Sequence, residues 1–211
     1  MGINNRYKVT ALIPAYNEEK RIGKVIDDVK KHVDEVVVID DASKDNTSQI
    51  SEEKGAKVIK NSRNLGYLKN IIKGINLIDS DIIVTIDADG EHPANRISEL
   101  VKPIIDDKAD LVLGRRRKIP RISERIISFI TRLKTGVYDA GTGFRAFRKS
   151  FANGIEELKG GCTCGVFVLF FYKKRARIKE INIKEIPVEK PRGIAWRHFN
   201  QFFIVLREIL K

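Results

Sequence analysis

Cysteine is scarce in this chain of 211 residues, where only Cys162 and Cys164 occur. One residue separates them, which is too short a spacing for an ordinary disulfide loop, and no other cysteine lies nearby to complete a structural zinc site. The scarcity argues against a disulfide-stabilised secreted domain and predicts a reducing compartment, the cytoplasm.

Long hydrophobic runs are also missing. The most apolar stretch, residues 162–172, is well short of the roughly 18 residues that a membrane-spanning helix needs. Residues 1–6 carry no apolar segment of the kind found in signal peptides. With 42% hydrophobic and 32% charged residues, the composition is typical of a folded, soluble protein of one domain.

Acidic residues are outnumbered by basic ones, 28 to 40, which gives a formal net charge of +12. Such a charge indicates an anionic partner, whether nucleic acid, an acidic membrane surface or a phosphorylated ligand. Basic residues concentrate in the second half, at residues 115–118, 121–132 and 173–179. The chain has no nucleic-acid recognition motif, so a nucleic-acid partner is not expected.

Strand and helix patterns alternate through the first half of the chain. Strands are predicted at residues 8–13, 35–39, 56–59, 82–86 and 110–113, and helices at 20–32, 47–54, 67–78 and 95–106. This alternation predicts an α/β fold with a doubly wound, mainly parallel sheet and helices on both faces. The second half predicts a basic helix at 122–134, a glycine-rich loop at 137–148, a buried helix or strand at 165–172, a strand at 179–188 and an amphipathic segment at 196–211.

The strand at 82–86 is followed by Asp87-Ala88-Asp89-Gly90-Glu91-His92-Pro93. In an extended segment, residues i and i+2 point the same way, so Asp87 and Asp89 are expected on one side. They would lie at the carboxyl edge of the sheet, where open α/β sheets bind ligands. Oxygen ligands there suit Mg²⁺ or Mn²⁺, which can hold phosphates, although a lone Asp-x-Asp fits a helix cap equally well.

Five segments in order resemble the family 2 glycosyltransferases, and within them the polyprenyl (dolichyl) phosphate mannose or glucose synthases. The segments are residues 13–18 (Ile-Pro-Ala-Tyr-Asn-Glu), 38–45 (Val-Ile-Asp-Asp-Ala-Ser-Lys-Asp), 87–93, 113–116 (Leu-Gly-Arg-Arg) and 139–145 (Asp-Ala-Gly-Thr-Gly-Phe-Arg). The resemblance covers residues 8–192 and implies the GT-A fold. It implies a nucleotide-sugar-binding half at 1–95 and an acceptor-binding half at 96–192, followed by an amphipathic C-terminal helix at 193–211.

The resemblance also implies roles for individual residues. Nucleotide-sugar contacts are expected from Pro14, Ala15, Tyr16, Glu18, Ile39, Asp41, Asp87, Ala88, Asp89, Arg116 and Lys190. The expected ligands of Mg²⁺ or Mn²⁺ are Asp87, Asp89 and Glu91. The acceptor phosphate is expected to contact Arg125, Ser128 and Arg145, and the catalytic residues would be Asp89, Arg125 and Arg145.

The implied activity is metal-dependent, inverting transfer of a hexose from GDP-mannose or UDP-glucose to a polyprenyl or dolichyl phosphate. The basic helix and the C-terminal segment have the composition of surfaces that bind a membrane interface, although a terminal helix packed on the sheet fits the latter equally well. The enzyme would then act peripherally at the cytoplasmic face of the membrane, or be recruited there by a membrane-anchoring subunit.

The chain departs from the synthase pattern at three places. Phe167 stands where relatives carry an acidic residue, residues 64–67 keep only part of a glycine-lysine-glycine loop, and Trp196 replaces a lysine expected near the diphosphate. An alcohol acceptor needs a base, whereas a phosphate monoester is already anionic at neutral pH, so the missing carboxylate favours a phosphate acceptor. The alternatives are transfer to a glycan or another alcohol, and a noncatalytic nucleotide-binding or scaffold relative.

Overall fold

The computed structural model describes residues 7–119, 121–160, 162–187 and 197–210. Its centre is a seven-stranded sheet in the order β3-β2-β1-β4-β6-β5-β7. The strands are β1 (Val9–Ala15), β2 (Glu35–Asp40), β3 (Lys57–Lys60), β4 (Ile82–Thr85), β5 (Leu111–Arg116), β6 (Arg145–Arg148) and β7 (Ile178–Ile183). β6 is antiparallel to β4 and β5, and the remaining pairings are parallel. The predicted α/β class with a mainly parallel sheet is confirmed.

Helices cover both faces of the sheet. They are α1 (Ile22–Val29), α2 (Thr47–Glu53), α3 (Tyr67–Leu77), α4 (Ile97–Ile105), α5 (Ile122–Thr135), α6 (Val166–Lys173) and α7 (Arg197–Leu210), with short 3₁₀ turns at Ala94–Arg96, Lys149–Ala152 and Ile155–Glu157. No helix within the described ranges is both long and apolar enough to cross a membrane.

Alternation along the strands divides the core into two layers. Val9, Ala11 and Ile13 of β1 face the cluster that includes the apolar faces of α1 and α4. Leu12 faces the opposite cluster, where Ile71 and the aromatic residues of α6 pack. A third, smaller cluster forms where α5, α6 and α7 meet. The predicted halves at 1–95 and 96–192 supply β1–β4 and β5–β7 of one sheet, and their separate functional roles stay a prediction.

The prediction of a loop at residues 137–148 was wrong at its end. Residues 145–148 form β6 in the middle of the sheet, with Arg145 opposite Thr85 of β4 and Leu113 of β5. The strand was missed because its sequence, Arg-Ala-Phe-Arg, begins and ends with a charged residue. Residues 165–172, open between helix and strand, lie mostly in α6, and the strand predicted at 179–188 ends at Ile183.

The direction of the strands brings the functional segments to one edge. β1, β2, β4 and β5 end there, and β6 begins there because it runs the other way. The chain segments after β1, β2 and β4 and the glycine-rich segment before β6 therefore converge. This is the edge at which the sequence predicted a ligand site.

Candidate active site

Two neighbouring cavities open at this edge. The first cavity, about 390 Å³, is lined by Pro14, Ala15, Tyr16, Glu18, Asp41, Asn64, Gly66, Tyr67, Asn70, Asp87, Ala88 and Asp89. The second cavity, about 210 Å³, is lined by Tyr67, Asp87, Asp89, Glu91, His92, Arg116, Arg121, Glu124, Gly141, Gly143, Cys162, Thr163 and Cys164. Asp87 and Asp89 line both, so the two carboxylates stand on the boundary between the cavities.

Asp87 lies just beyond the end of β4, and its carboxylate is held on several sides. The Tyr67 hydroxyl donates a hydrogen bond of 2.7 Å to Oδ1. His92 Nε2 lies 3.8 Å from Oδ2, while His92 Nδ1 accepts the Asp87 backbone N–H at 3.2 Å. His92 also stacks on Phe144, with ring centroids 5.3 Å apart, so it acts as a structural turn residue. The carboxylate orientation is therefore set by the protein.

Asp89 follows in a turn, and its Oδ1 accepts the backbone N–H of Glu91 at 3.0 Å. The described residues contain no group of three or more His, Cys, Asp or Glu side chains placed to hold a metal ion, so the predicted three-ligand set with Glu91 is not assembled. A pair of carboxylates completed by substrate phosphates is a common way of binding Mg²⁺. Asp87 and Asp89 fit a metal of that kind.

Asp41 is buried, and its carboxylate is hydrogen-bonded within the protein although the residue lines the first cavity. Its carboxylate accepts hydrogen bonds from the backbone N–H groups of Leu65 and Gly66 and from the Asn61 side chain, at 2.7, 2.9 and 3.0 Å. Burial acts to raise the pKa of Asp41, but these hydrogen bonds outweigh it and hold the pKa below its usual value. Asp41 thus anchors the 61–66 loop as one wall of the first cavity.

The turn after β1 forms the opposite wall. Asn17 has a φ of 55° and forms two hydrogen bonds with the turn after β2. Its N–H donates to Ser43 Oγ at 2.9 Å, and its Oδ1 accepts the Lys44 N–H at 2.8 Å. Tyr16 is 45% exposed beside this turn and offers a ring surface to the cavity. Glu18 is paired with Arg21 at 3.0 Å.

The glycine-rich segment at 139–145 joins the second half of the chain to Asp87. The Gly143 carbonyl accepts a hydrogen bond from Thr85 Oγ1, at 2.7 Å. A Cβ atom on Gly143 would lie 2.5 and 2.6 Å from the two carboxylate oxygens of Asp87, so any other residue there would displace this carboxylate. The glycine at position 143 of this motif therefore has a structural cause, the close approach of its backbone to Asp87 and Thr85.

A buried ionic cluster lines the second cavity. Arg116 donates two hydrogen bonds of 2.8 Å to Asp139 and lies 3.1 Å from Glu124, which also receives a 2.9 Å hydrogen bond from Arg121. Burial acts to lower the pKa of Arg116, but Asp139 and Glu124 raise it above its ordinary value. Nε of Arg121 is buried and has no hydrogen-bond partner within the described part of the chain.

The three residues predicted to hold the acceptor phosphate do not line the second cavity. Arg125 is exposed and donates to the Ile119 carbonyl at 2.8 Å, and Ser128 is buried. Arg145 is fully buried, with one hydrogen bond to Thr163 Oγ1 at 2.8 Å and its guanidinium 4.6 Å from the centre of the Phe167 ring. Thr163 and Tyr67 stand at the cavity wall, so Arg145 lies behind it.

The residues predicted to contact the nucleotide sugar lie in different places. Pro14, Ala15, Tyr16, Glu18, Asp41, Asp87, Ala88 and Asp89 line the first cavity, and Arg116 lines the second. Ile39 is fully buried in the core, and Lys190 and Trp196 lie outside the described residues. Sequence reasoning missed Tyr67, Arg121 and Glu124; the partial match at residues 64–67 was the one signal pointing to Tyr67.

Comparison with known proteins identifies the family of the chain. The family model described as glycosyl transferase family 2 matches residues 10–179. A UDP-N-acetylglucosamine–dolichyl-phosphate N-acetylglucosaminyltransferase of Methanococcus voltae is 34% identical, over 84% of this chain and 85% of the relative. A dolichyl-phosphate hexose transferase of Haloferax volcanii is 28% identical, over 85% of this chain and 81% of the relative.

Among solved structures, the fold matches glucosyl-3-phosphoglycerate synthase of Mycobacterium tuberculosis, in a complex with Mn²⁺, UDP and glucosyl-3-phosphoglycerate. The TM-score is 0.76 at 22% sequence identity, and the match covers 97% of this chain and 79% of the synthase chain. At this identity the likeness establishes the fold, which is the GT-A fold of glycosyltransferases.

Proposed function

The chain belongs to glycosyl transferase family 2, and from that membership and the geometry of the two cavities we propose that it transfers a hexose from a nucleoside-diphosphate sugar to a polyprenyl or dolichyl phosphate. The observation that carries the proposal is the position of Asp87 and Asp89 between the cavities. A donor in the first cavity would present its diphosphate, and hence its anomeric carbon, at this boundary. An acceptor in the second cavity would approach the same carbon from the other side.

The first cavity has the chemistry of a nucleotide site. Tyr16 and Pro14 provide an apolar shelf for a base, while Asp41 keeps the 61–66 loop in place. Mg²⁺ or Mn²⁺ held by Asp87 and Asp89 would offset the negative charge of the departing nucleoside diphosphate. The proposed donors are UDP-N-acetylglucosamine, UDP-glucose and GDP-mannose, the first because of the name of the Methanococcus relative.

The second cavity suits an anionic acceptor. The resemblance assigned the phosphate to Arg125, Ser128 and Arg145, but Arg121 and Arg116 line the second cavity. Unpartnered buried atoms do not separate the two sets, because Arg121 Nε, Arg145 Nε and Nη1 and Ser128 Oγ all lack a hydrogen-bond partner within the described residues. We therefore assign phosphate binding mainly to Arg121. Arg116 would be the second phosphate contact, in the position that its hydrogen bonds to Asp139 give it. An oxygen of the phosphate would form the new bond to the anomeric carbon while the bond to the nucleoside diphosphate breaks, with inversion.

An alcohol acceptor is a weaker match because it requires a base. Glu124 is the carboxylate on α5 that lines the second cavity, but two guanidinium groups hold it, at 2.9 and 3.1 Å. These two ion pairs already engage both of its carboxylate oxygens. Phe167, where relatives carry an acid, is fully buried among the rings of Phe147 and Phe171. A phosphate monoester needs no such base.

The outer face of α5 suits a membrane surface. Ile122, Ile126, Phe129 and Leu133 are between 47% and 73% exposed in a row along the helix. Arg125 and Arg132 are exposed beside them, and Arg132 stacks on Tyr138 with its guanidinium carbon 3.6 Å from the ring centroid. Apolar side chains flanked by arginine are typical of interfacial helices that bind anionic lipids. The proposed site of action is thus the cytoplasmic membrane surface, reached directly or through an anchoring subunit.

The test is sugar transfer to a short polyprenyl phosphate with Mn²⁺, using radiolabelled UDP-N-acetylglucosamine, UDP-glucose and GDP-mannose in parallel. Lipid-linked product from one donor, lost in Asp89→Ala, is expected. Parallel reactions with an uncharged polyprenol test the alcohol alternative. Metal-dependent donor binding without turnover on either acceptor would contradict the proposal and favour a noncatalytic binding module.

A further inference from the structure

Tyr67 stands at the first turn of α3 and lines both cavities. Its hydroxyl donates to Asp87 Oδ1 at 2.7 Å, a short hydrogen bond to a charged acceptor.

The backbone on which Tyr67 stands is fixed from behind. The two residues before it, Leu65 and Gly66, donate their N–H groups to the two carboxylate oxygens of Asp41. Gly66 has a φ of 85°, a left-handed conformation that suits glycine and turns the chain into α3. Asp41 therefore holds the backbone directly before Tyr67, and the Tyr67 hydroxyl in turn bonds to Asp87.

The remaining surroundings of Asp87 cannot replace the tyrosine. The Gly143 Cα limits the space on one side without donating a hydrogen bond, and His92 Nε2 is 3.8 Å from Oδ2, beyond hydrogen-bond distance. Among the described contacts, the Tyr67 hydroxyl is the one side-chain group that fixes the rotation of the carboxylate by a hydrogen bond.

We propose that Tyr67 is a positioning residue: its hydroxyl holds the Asp87 carboxylate in the orientation that receives a divalent cation bound to a nucleoside diphosphate. The inference rests on the proposed function only for the identity of this ligand. Hydrogen-bond partners of metal-ligating carboxylates contribute about ten- to a hundredfold in metal affinity. Removing the hydroxyl is expected to weaken metal binding by that factor.

The experiment is a Mn²⁺ titration of the full chain followed by electron paramagnetic resonance of free Mn²⁺, with UDP and separately with GDP present. Tyr67→Phe is compared with the wild type and with Tyr172→Phe, which removes a hydroxyl from an exposed tyrosine on α6. We expect Mn²⁺ affinity to fall about ten- to a hundredfold in Tyr67→Phe and to stay unchanged in Tyr172→Phe.

A double-mutant cycle separates positioning from a general effect on folding. If Tyr67 acts through Asp87, then Tyr67→Phe has no further effect on Mn²⁺ binding in an Asp87→Asn background. Equal loss in both backgrounds, or no loss in Tyr67→Phe, would overturn the inference. So would absence of nucleotide-dependent Mn²⁺ binding in the wild type. Tyr67-dependent binding without sugar transfer would leave the inference standing and refute the proposed function.

Discussion

Gly143 shows how closely the two halves of the chain approach at the level of single residues. It belongs to the motif before β6, yet its Cα packs against the carboxylate of Asp87 after β4. Gly143→Ala places a methyl group where the carboxylate oxygens stand, and the carboxylate must move. We predict a fall of roughly a hundredfold in kcat/KM for sugar transfer, since displacements of about 1 Å have effects of that size.

Gly74→Ala serves as a comparison, because its new Cβ would overlap the Leu12 side chain in the core. It should lower the melting temperature while leaving the kcat/KM of the folded fraction close to wild type. Gly143→Ala should lower kcat/KM and leave the melting temperature close to wild type. A Gly143→Ala protein with full activity would mean that the orientation of Asp87 is unimportant.

The sequence predicted some of the residues that line the two cavities and not others. Asp87 and Asp89 were found because acidic residues after a buried strand form a recognisable local pattern. Tyr67, Arg121 and Glu124 were not predicted, because the cavities that they line are formed by segments distant in sequence; Tyr67 and Asp87, for example, are 20 positions apart. The assignment of the acceptor phosphate to Arg125 stays a prediction; the Arg125 side chain is exposed, and Arg121, one turn earlier, lines the second cavity.

At the scale of elements, α5 has two faces with different roles. Its inner face supplies Glu124, Ile127, Ser128 and Thr131 to the protein interior, and its outer face carries the exposed apolar row. The periodicity predicted this helix within about one residue. Hydrophobic periodicity did not predict β6. Its four residues have arginine at both ends, so no alternation of apolar and polar residues distinguishes them from a loop.

The outer face of α5 leads to a prediction about membranes. We expect Phe129→Ser with Leu133→Ser to weaken binding to anionic phospholipid vesicles by at least about tenfold, because burying each large apolar side chain is worth roughly 1.5–3 kcal/mol at most. Vesicle co-sedimentation measures this. Leu77→Ser, at an exposed leucine of α3, is the control and should bind as the wild type does.

Binding of the wild type should also weaken with added salt and with neutral lipid, because the arginines of α5 act through charge. Unchanged vesicle binding in the double variant would contradict the prediction that the outer face of α5 binds the membrane. The exposed Phe203 and Leu210 of α7 would then become the next residues to test.

At the scale of the whole molecule, the sheet gathers turns from both ends of the chain at one edge. The strand order was not predicted, but the mainly parallel, doubly wound sheet was predictable from the alternation of strand and helix patterns. The insertion of antiparallel β6 was not, although it brings the 139–145 segment to Asp87. The site is therefore a property of the complete sheet, and its two cavities share Asp87 and Asp89. The proposed function divides these cavities into a donor side and an acceptor side.

The most direct test of that division is a comparison of Michaelis constants for the two substrates in variants of each cavity. Tyr16→Ala should raise KM for the nucleotide sugar alone, and Arg121→Ala should raise KM for the polyprenyl phosphate alone, each by about tenfold or more, as expected for the loss of a stacking surface or a charge-assisted hydrogen bond. Arg125→Ala removes the same charge one turn along α5. An acceptor KM that responds to Arg125→Ala and not to Arg121→Ala would contradict this account.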